Sequence, residues 1–150
     1  MSDVGVTSMT AELRRVAVRP PSIRGDYAAA HWAQPVDLDL LAEQHAAFVG
    51  LLQRLGCEVD VLDPVDDMPD GIFTYDPCFV VGPGFIELRG AKSARVAEPA
   101  VLAAELHERG IPQVGRLTGD ATADGGDIFW LDATTVAVGR SYRTNDEAID

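Results

Sequence analysis

Apolar positions along the chain change period several times, and each change outlines an element. Arg15-Val-Ala-Val18 has strand character and ends at Arg19-Pro-Pro21. Leu41, His45, Phe48, Leu52 and Leu55 recur at spacings of three and four, which predicts an amphipathic helix of about 18 residues. Asp37 is placed to cap its start and Gly56 to stop it. Cys57-Glu-Val-Asp-Val-Leu62 alternates apolar and polar and predicts a strand. A turn-rich acidic loop, residues 63–71, follows. The apolar runs 78–81 and 85–88 flank Gly82-Pro83-Gly84, a hairpin pattern. A second helix is expected from Pro99, a favoured first-turn residue, to Arg109, with Gly110 as its stop. Residues 114–117 read as a strand, and residues 127–131 and 136–138 as a second hairpin around Asp132-Ala-Thr-Thr135. Thr144-Asn-Asp-Glu147 has the capping-box pattern and announces a third helix.

The order helix, glycine stop, strand, acidic loop and hairpin occurs twice. Gly56 and Gly110 lie 54 positions apart; Asp76 and Asp127, which open the hairpins, lie 51 apart. Such a repeat argues for β–β–α–β modules. The chain ends one or two turns into the third helix, too short for a stable isolated helix. The expectation is therefore a chain cut inside a module. Residues 1–12 read as a loose tail. Residues 19–37 form a long Pro-, Gly- and Ala-bearing loop with Tyr27, His31 and Trp32 in it, either a functional lid or a disordered connection.

Composition narrows the class. A chain of 150 residues can bury the core of one domain. With 47% hydrophobic and 24% charged residues it is not a disordered chain. Twenty-four acidic residues against twelve basic ones give a formal charge of −12, which repels phosphate backbones and attracts cations. No nucleic-acid partner is expected. No apolar run approaches the roughly 20 residues of a membrane span, and the first ten residues lack a signal-peptide pattern. Two distant cysteines make no disulfide framework. The expected location is the cytoplasm, with reduced thiols. Cys57 and Cys78 fall on strands and read as inert core residues.

Three constellations carry candidate chemistry. In Pro69-Asp-Gly-Ile-Phe-Thr-Tyr-Asp-Pro77, Asp70 and Asp76 flank Phe73; the segment is either a pocket rim or a solvated turn. In Asp120-Ala-Thr-Ala-Asp124-Gly-Gly-Asp127, two glycines between aspartates allow close approach to a ligand; a plain turn before a strand is the alternative. The calcium-loop and zinc spacings are both missing, so no metal is expected. Gly139-Arg-Ser-Tyr-Arg143-Thr-Asn145 places Arg143 beside a helix start, where it suits a carboxylate, as Arg95 does after Gly90-Ala-Lys-Ser-Ala. Either arginine alone also reads as an ordinary surface charge. Together the three suggest a ligand with one cationic and one anionic end, such as an amino acid bearing a guanidinium.

These residues resemble a known family. Asp70-Gly-Ile-Phe-Thr-Tyr-Asp76 is similar to the D-x-x-F-x-E-D segment of dimethylarginine dimethylaminohydrolases. Asp124-Gly-Gly-Asp127 resembles their E/D-x-G-D turn, and Gly139-Arg-Ser-Tyr-Arg-Thr-Asn145 their G-x-S-x-R-T-N segment. Leu41-Ala-Glu-Gln-His-Ala-Ala-Phe-Val-Gly50 looks like their first helix. The resemblance, at the level of the pentein superfamily, implies an α/β propeller of five β–β–α–β modules. This chain would hold about half, up to three modules, as the N-terminal part of a single domain.

The resemblance also implies roles. Asp76 and Asp124 would grip a substrate guanidinium from opposite sides, Asp70 would bind guanidine or amino groups, Phe73 would pack on the stem, and Arg95 and Arg143 would hold the α-carboxylate. The 19–37 loop would be the family's lid. Tyr75 stands where the family has Glu and carries no charge at neutral pH. The preferred guanidine therefore stays open among dimethylargininase, deiminase and amidinotransferase chemistry. The family's catalytic His and Cys lie beyond the Arg-Thr-Asn segment, so the chain is expected to carry the binding shell without the nucleophile. The implied reaction is cysteine hydrolysis of a guanidino C–N bond to a citrulline-type product through a thiouronium, with no cofactor. The alternatives are a non-catalytic half-length pentein that binds arginine-like cations, completes a partner chain or self-associates, an unrelated acidic α/β domain, and catalysis by Cys78.

Overall fold

The computed structural model describes residues 5–150, so the first four residues of the expected tail lie outside the described residues. The chain divides into two compact units. One is Leu13–Thr74; the other is Tyr75–Asp150 together with residues 5–12.

In the first unit, β1 (Arg15–Val18) and β2 (Glu58–Val61) pair in parallel, in register from Arg15↔Glu58 to Val18↔Val61. Parallel strands need a crossover, and α1 (Leu38–Arg54) provides it. The expected cap is present: the Asp37 carboxylate accepts the Leu40 N–H at 3.0 Å. Gly56 follows the helix in the left-handed region, φ +91°. Val18, Ala30, Leu52 and Leu62 are buried apolar side chains of this unit. Cys57, expected in the core, is only half-buried, its thiol against the Leu13 carbonyl at 3.2 Å. The acidic loop ends in a single 3-10 turn, Pro69–Ile72, which hydrophobic periodicity could not reveal.

In the second unit, β3 (Cys78–Val81) and β4 (Gly84–Glu87) form the expected hairpin. Helix α2 (Glu98–Glu108) then carries the chain to β5 (Gln113–Arg116), which pairs in parallel with β4. This is one β–β–α–β unit, the module that the repeat predicts. The hairpin of β6 (Ile128–Asp132) and β7 (Thr135–Val138) and the short α3 (Asp146–Ile149) follow. The strands make separate sheets of two, three and two, and none closes among the described residues. The fold is mixed α/β. Among the described residues no helix is long and apolar enough to cross a membrane.

Phe79, Leu88, Ala123 and Ile128 form the core of the second unit, with Ile86, Leu117 and Trp130 packed on it. The Phe79 and Trp130 rings stack at 5.7 Å. Ala123 and Ile128 anchor both ends of the acidic turn between them, so this core positions that turn.

The capping box is not formed. Asn145 occupies the cap position of α3 without a side-chain cap bond. The Thr144 hydroxyl donates instead to Asp127 at 2.8 Å and accepts the Asp124 N–H at 3.4 Å. The hydroxyl oxygen, which would have accepted a helix N–H in the capping box, thus serves the Asp124 N–H.

Phe85 has no exposed surface. Phe85→Ala is expected to lower unfolding free energy by about 3–5 kcal/mol, read as a lower urea midpoint with an unchanged slope.

Candidate functional site

The site in the second unit is built by two loops that touch through their backbones. The Gly125 N–H donates to the Asp76 carbonyl at 2.9 Å. A Cβ on Gly125 would fall onto the Tyr75 carbonyl, so only glycine permits this approach. The next N–H, of Gly126, donates to Asp76 Oδ1 at 3.1 Å. Asp76 and Asp124, 48 positions apart in sequence, thereby line one cleft. Arg95, Glu98, Pro77 and Pro99 complete its walls.

Charge organises the cleft. Arg95 is buried; its Nη1 donates to Asp76 Oδ2 at 2.6 Å, and its Nε and Nη2 donate to Glu98 Oε2 at 2.8 and 2.6 Å. Burial works against the Arg95 charge, but Glu98 and Asp76 raise its pKa on balance. Arg143 lies 3.4 Å from Asp124 Oδ2 and 3.2 Å from Asp127 Oδ1. Four carboxylates, of Asp76, Glu98, Asp124 and Asp127, thus meet the two guanidiniums. Asp124 shows the consequence: burial, then the nearby Asp76, raise its pKa above the ordinary 3.8, while Arg95 and Arg143 oppose the rise. Burial also pushes Asp127 up, but the Ser141 and Thr144 hydroxyls and Arg143 more than offset it and leave it lowered.

Asp70 and Phe73 belong to the first unit. Asp70 is buried in the 3-10 turn and accepts the Trp32 indole N–H at 2.8 Å. Phe73, at the end of that turn, is half exposed and stacks with Trp32. The structure thus brings Asp76, Arg95, Asp124 and Arg143 together in one unit, and Asp70 and Phe73 together in the other.

Two further residues bear on the chemistry. The Tyr75 hydroxyl donates to the Ile128 carbonyl at 3.1 Å, and burial, then Asp76, raise its pKa, so it stays neutral where the family has Glu. Burial, then Glu87, push the Cys78 thiol up to about 12, which leaves it protonated at neutral pH.

Sequence reasoning missed Glu98, Asp127 and Thr144. Glu98 opens α2, where an acid reads as a helix-dipole partner; its i,i+3 spacing from Arg95 was the available signal. Asp127 reads as a hairpin opener and Thr144 as a cap. Asn145 also holds the turn: its side chain accepts the Thr122 N–H at 2.9 Å and donates to the Asp120 carbonyl at 2.7 Å.

The mixed α/β fold, with two acidic loops that line one cleft, is of the pentein class. The chain belongs to the arginine deiminase family, whose model matches residues 63–150. Its kinship extends to dimethylarginine dimethylaminohydrolase. It is 34% identical over 112 residues to the N(G),N(G)-dimethylarginine dimethylaminohydrolase of Streptomyces coelicolor, which covers 75% of this chain and 43% of that protein. It is also 34% identical over 107 residues to the uncharacterized protein YkgA of Bacillus subtilis, 71% of this chain and 36% of the relative. The chain thus spans less than half the length of these relatives. The fold superposes on the Pseudomonas aeruginosa dimethylarginine dimethylaminohydrolase, a cysteine-to-serine mutant complexed with citrulline, with a TM-score of 0.78 and 24% identity, over 92% of this chain and 54% of that one.

A raised carboxyl pKa means that the folded chain holds a proton which the unfolded chain has released, so stability falls as pH rises through that window above 3.8. Asp124→Asn removes this dependence. The variant is expected to be more stable than the parent by up to about 1 kcal/mol at neutral pH, with the advantage vanishing in acid, measured as urea midpoints across pH.

Proposed function

We propose that this chain is the N-terminal part of a single pentein domain, a five-module propeller, in a cysteine hydrolase that cleaves a C–N bond of a guanidino amino acid. The observation that carries the reading is the meeting of Asp76 and Asp124 on one cleft, where burial and then Asp76 raise the Asp124 pKa. Asp76 already holds one guanidinium, that of Arg95, at 2.6 Å, which supports this role for its carboxylate. Asp76 and Asp124 would grip the substrate guanidinium. Arg143, about one-third exposed, would hold the α-carboxylate. The same role for Arg95 would require it to exchange a partner; in place, it steadies Asp76. Asp70 and Phe73 are assigned to the same ligand by their motif positions.

In the reaction, a thiolate bonds to the guanidinium carbon, an amine departs with a proton, and water releases a citrulline-type product from the thiouronium. The Cys78 thiol, pushed up to about 12 by burial, speaks against Cys78 as that nucleophile. The citrulline complex of the Pseudomonas aeruginosa neighbour supports a product of that type. The arginine deiminase family and the dimethylarginine dimethylaminohydrolase relative put arginine and its N-methylated forms in the substrate class. Phe129, Leu131 and Val136 leave the β6–β7 hairpin with exposed apolar side chains, which favours completion by further chain, its own or a partner's.

Calorimetry with L-arginine, L-citrulline and dimethylarginine tests the reading. Asp76→Asn and Asp124→Asn are each expected to weaken binding roughly tenfold to a hundredfold, the worth of hydrogen bonds to charged groups. Unchanged affinity in both variants would overturn it.

A further inference from the structure

Asp127 fastens the loop at residues 139–145 to the acidic turn. Its Oδ2 accepts the Ser141 and Thr144 hydroxyls, each at 2.8 Å, and its Oδ1 accepts Arg143 Nη2 at 3.2 Å. The same Ser141 Oγ accepts the N–H of Arg143 at 3.0 Å and that of Thr144 at 3.2 Å. The Asp127 carbonyl takes the Gly139 N–H at 2.7 Å. One aspartate thus holds Arg143 twice, directly by its side chain and through Ser141 by its backbone.

The two aspartates of the turn divide the work. A carboxylate has about four acceptor sites, and Asp127 fills three of them with groups of its own unit. Asp124 meets Arg143 more loosely, with Nη1 3.4 Å from its Oδ2. Arg143 is not saturated by these contacts. Its Nε is buried without a hydrogen-bond partner among the described residues, while its side chain as a whole is 36% exposed. Two acids therefore compete for one guanidinium. Full closure of Arg143 on Asp124 would neutralise the acid assigned to the cationic end of a ligand and withdraw the arginine assigned to its anionic end. The hydrogen bond to Asp127 opposes that closure. We propose that Asp127 is a positioning residue: it holds Arg143 off full pairing with Asp124, which leaves Arg143 to the α-carboxylate of the ligand and Asp124 to its guanidinium. This rests on the reading of the chain as a binder of guanidino amino acids, and adds to it the residue that keeps the two ends of the site apart.

Binding of L-arginine and of agmatine, which is L-arginine without its carboxylate, is measured by calorimetry on the full chain. The ratio of the two dissociation constants reports the carboxylate alone. The parent is expected to prefer L-arginine about tenfold, the worth of one hydrogen bond to a charged group, and Arg143→Ala to lose that preference. In Asp127→Asn the amide oxygen can still accept the two hydroxyls, while the amide NH2 is set against Arg143 Nη2. This variant is expected to lose most of the preference as well. Asp127→Asn combined with Arg143→Ala is expected to show no further loss, because the two residues act as one unit. A merely structural role for Asp127 weakens both ligands alike and leaves the ratio unmoved. Should Asp127→Asn fail to fold by circular dichroism, Ser141→Ala, which cuts the link from Asp127 to the Arg143 backbone, decides instead, with an expected loss of about threefold in the ratio. A preference that Arg143→Ala abolishes and Asp127→Asn keeps, or that Ser141→Ala keeps where only that variant folds, sinks this inference alone. So does a parent that binds both ligands alike. No binding of L-arginine to the parent, or equal binding to Asp76→Asn, sinks the functional reading and the inference with it.

Discussion

The candidate site depends on one close approach of backbone to backbone. Gly125 lies so near the Tyr75 carbonyl that no side chain fits between. That contact lets two successive N–H groups reach Asp76, one to its carbonyl and one to its carboxylate. The carboxylates of Asp76 and Asp124 then share a cleft that neither loop makes alone. The core residues Ala123 and Ile128 hold the turn from both sides, so packing of the β–β–α–β unit and site geometry are one problem.

Holding these acids together costs stability. Burial, and then the like charge of Asp76, raise the pKa of Asp124. The chain offsets the cost with internal cations. Arg95 lies between Asp76 and Glu98, and Arg143 between Asp124 and Asp127. Asp124 keeps a raised pKa in spite of both arginines, so the cleft still disfavours its negative charge.

Much of the fold was legible in the sequence because its signals are local. The three- and four-residue spacing of Leu41 to Leu55, the cap at Asp37 and the stop at Gly56 act within one helix, and α1 formed as expected. The twofold order of elements was legible too, and β3, β4, α2 and β5 form one such unit. The Thr144 capping box was misread because its hydroxyl oxygen accepts the Asp124 N–H, twenty residues away in sequence and adjacent only in space. The 3-10 turn at Pro69–Ile72 has too few residues for a period to show.

The sequence by itself determined the elements, the excess of negative charge and the identity of the acidic turns, since these follow from residue type and short spacing. Only the tertiary structure decided which charges face one another. It placed Arg95 between two carboxylates, made Glu98 and Thr144 part of the site, and set Trp32 against Asp70. Those pairings join residues from 3 to 38 positions apart, and most are selected by burial and backbone fit, which no local pattern encodes.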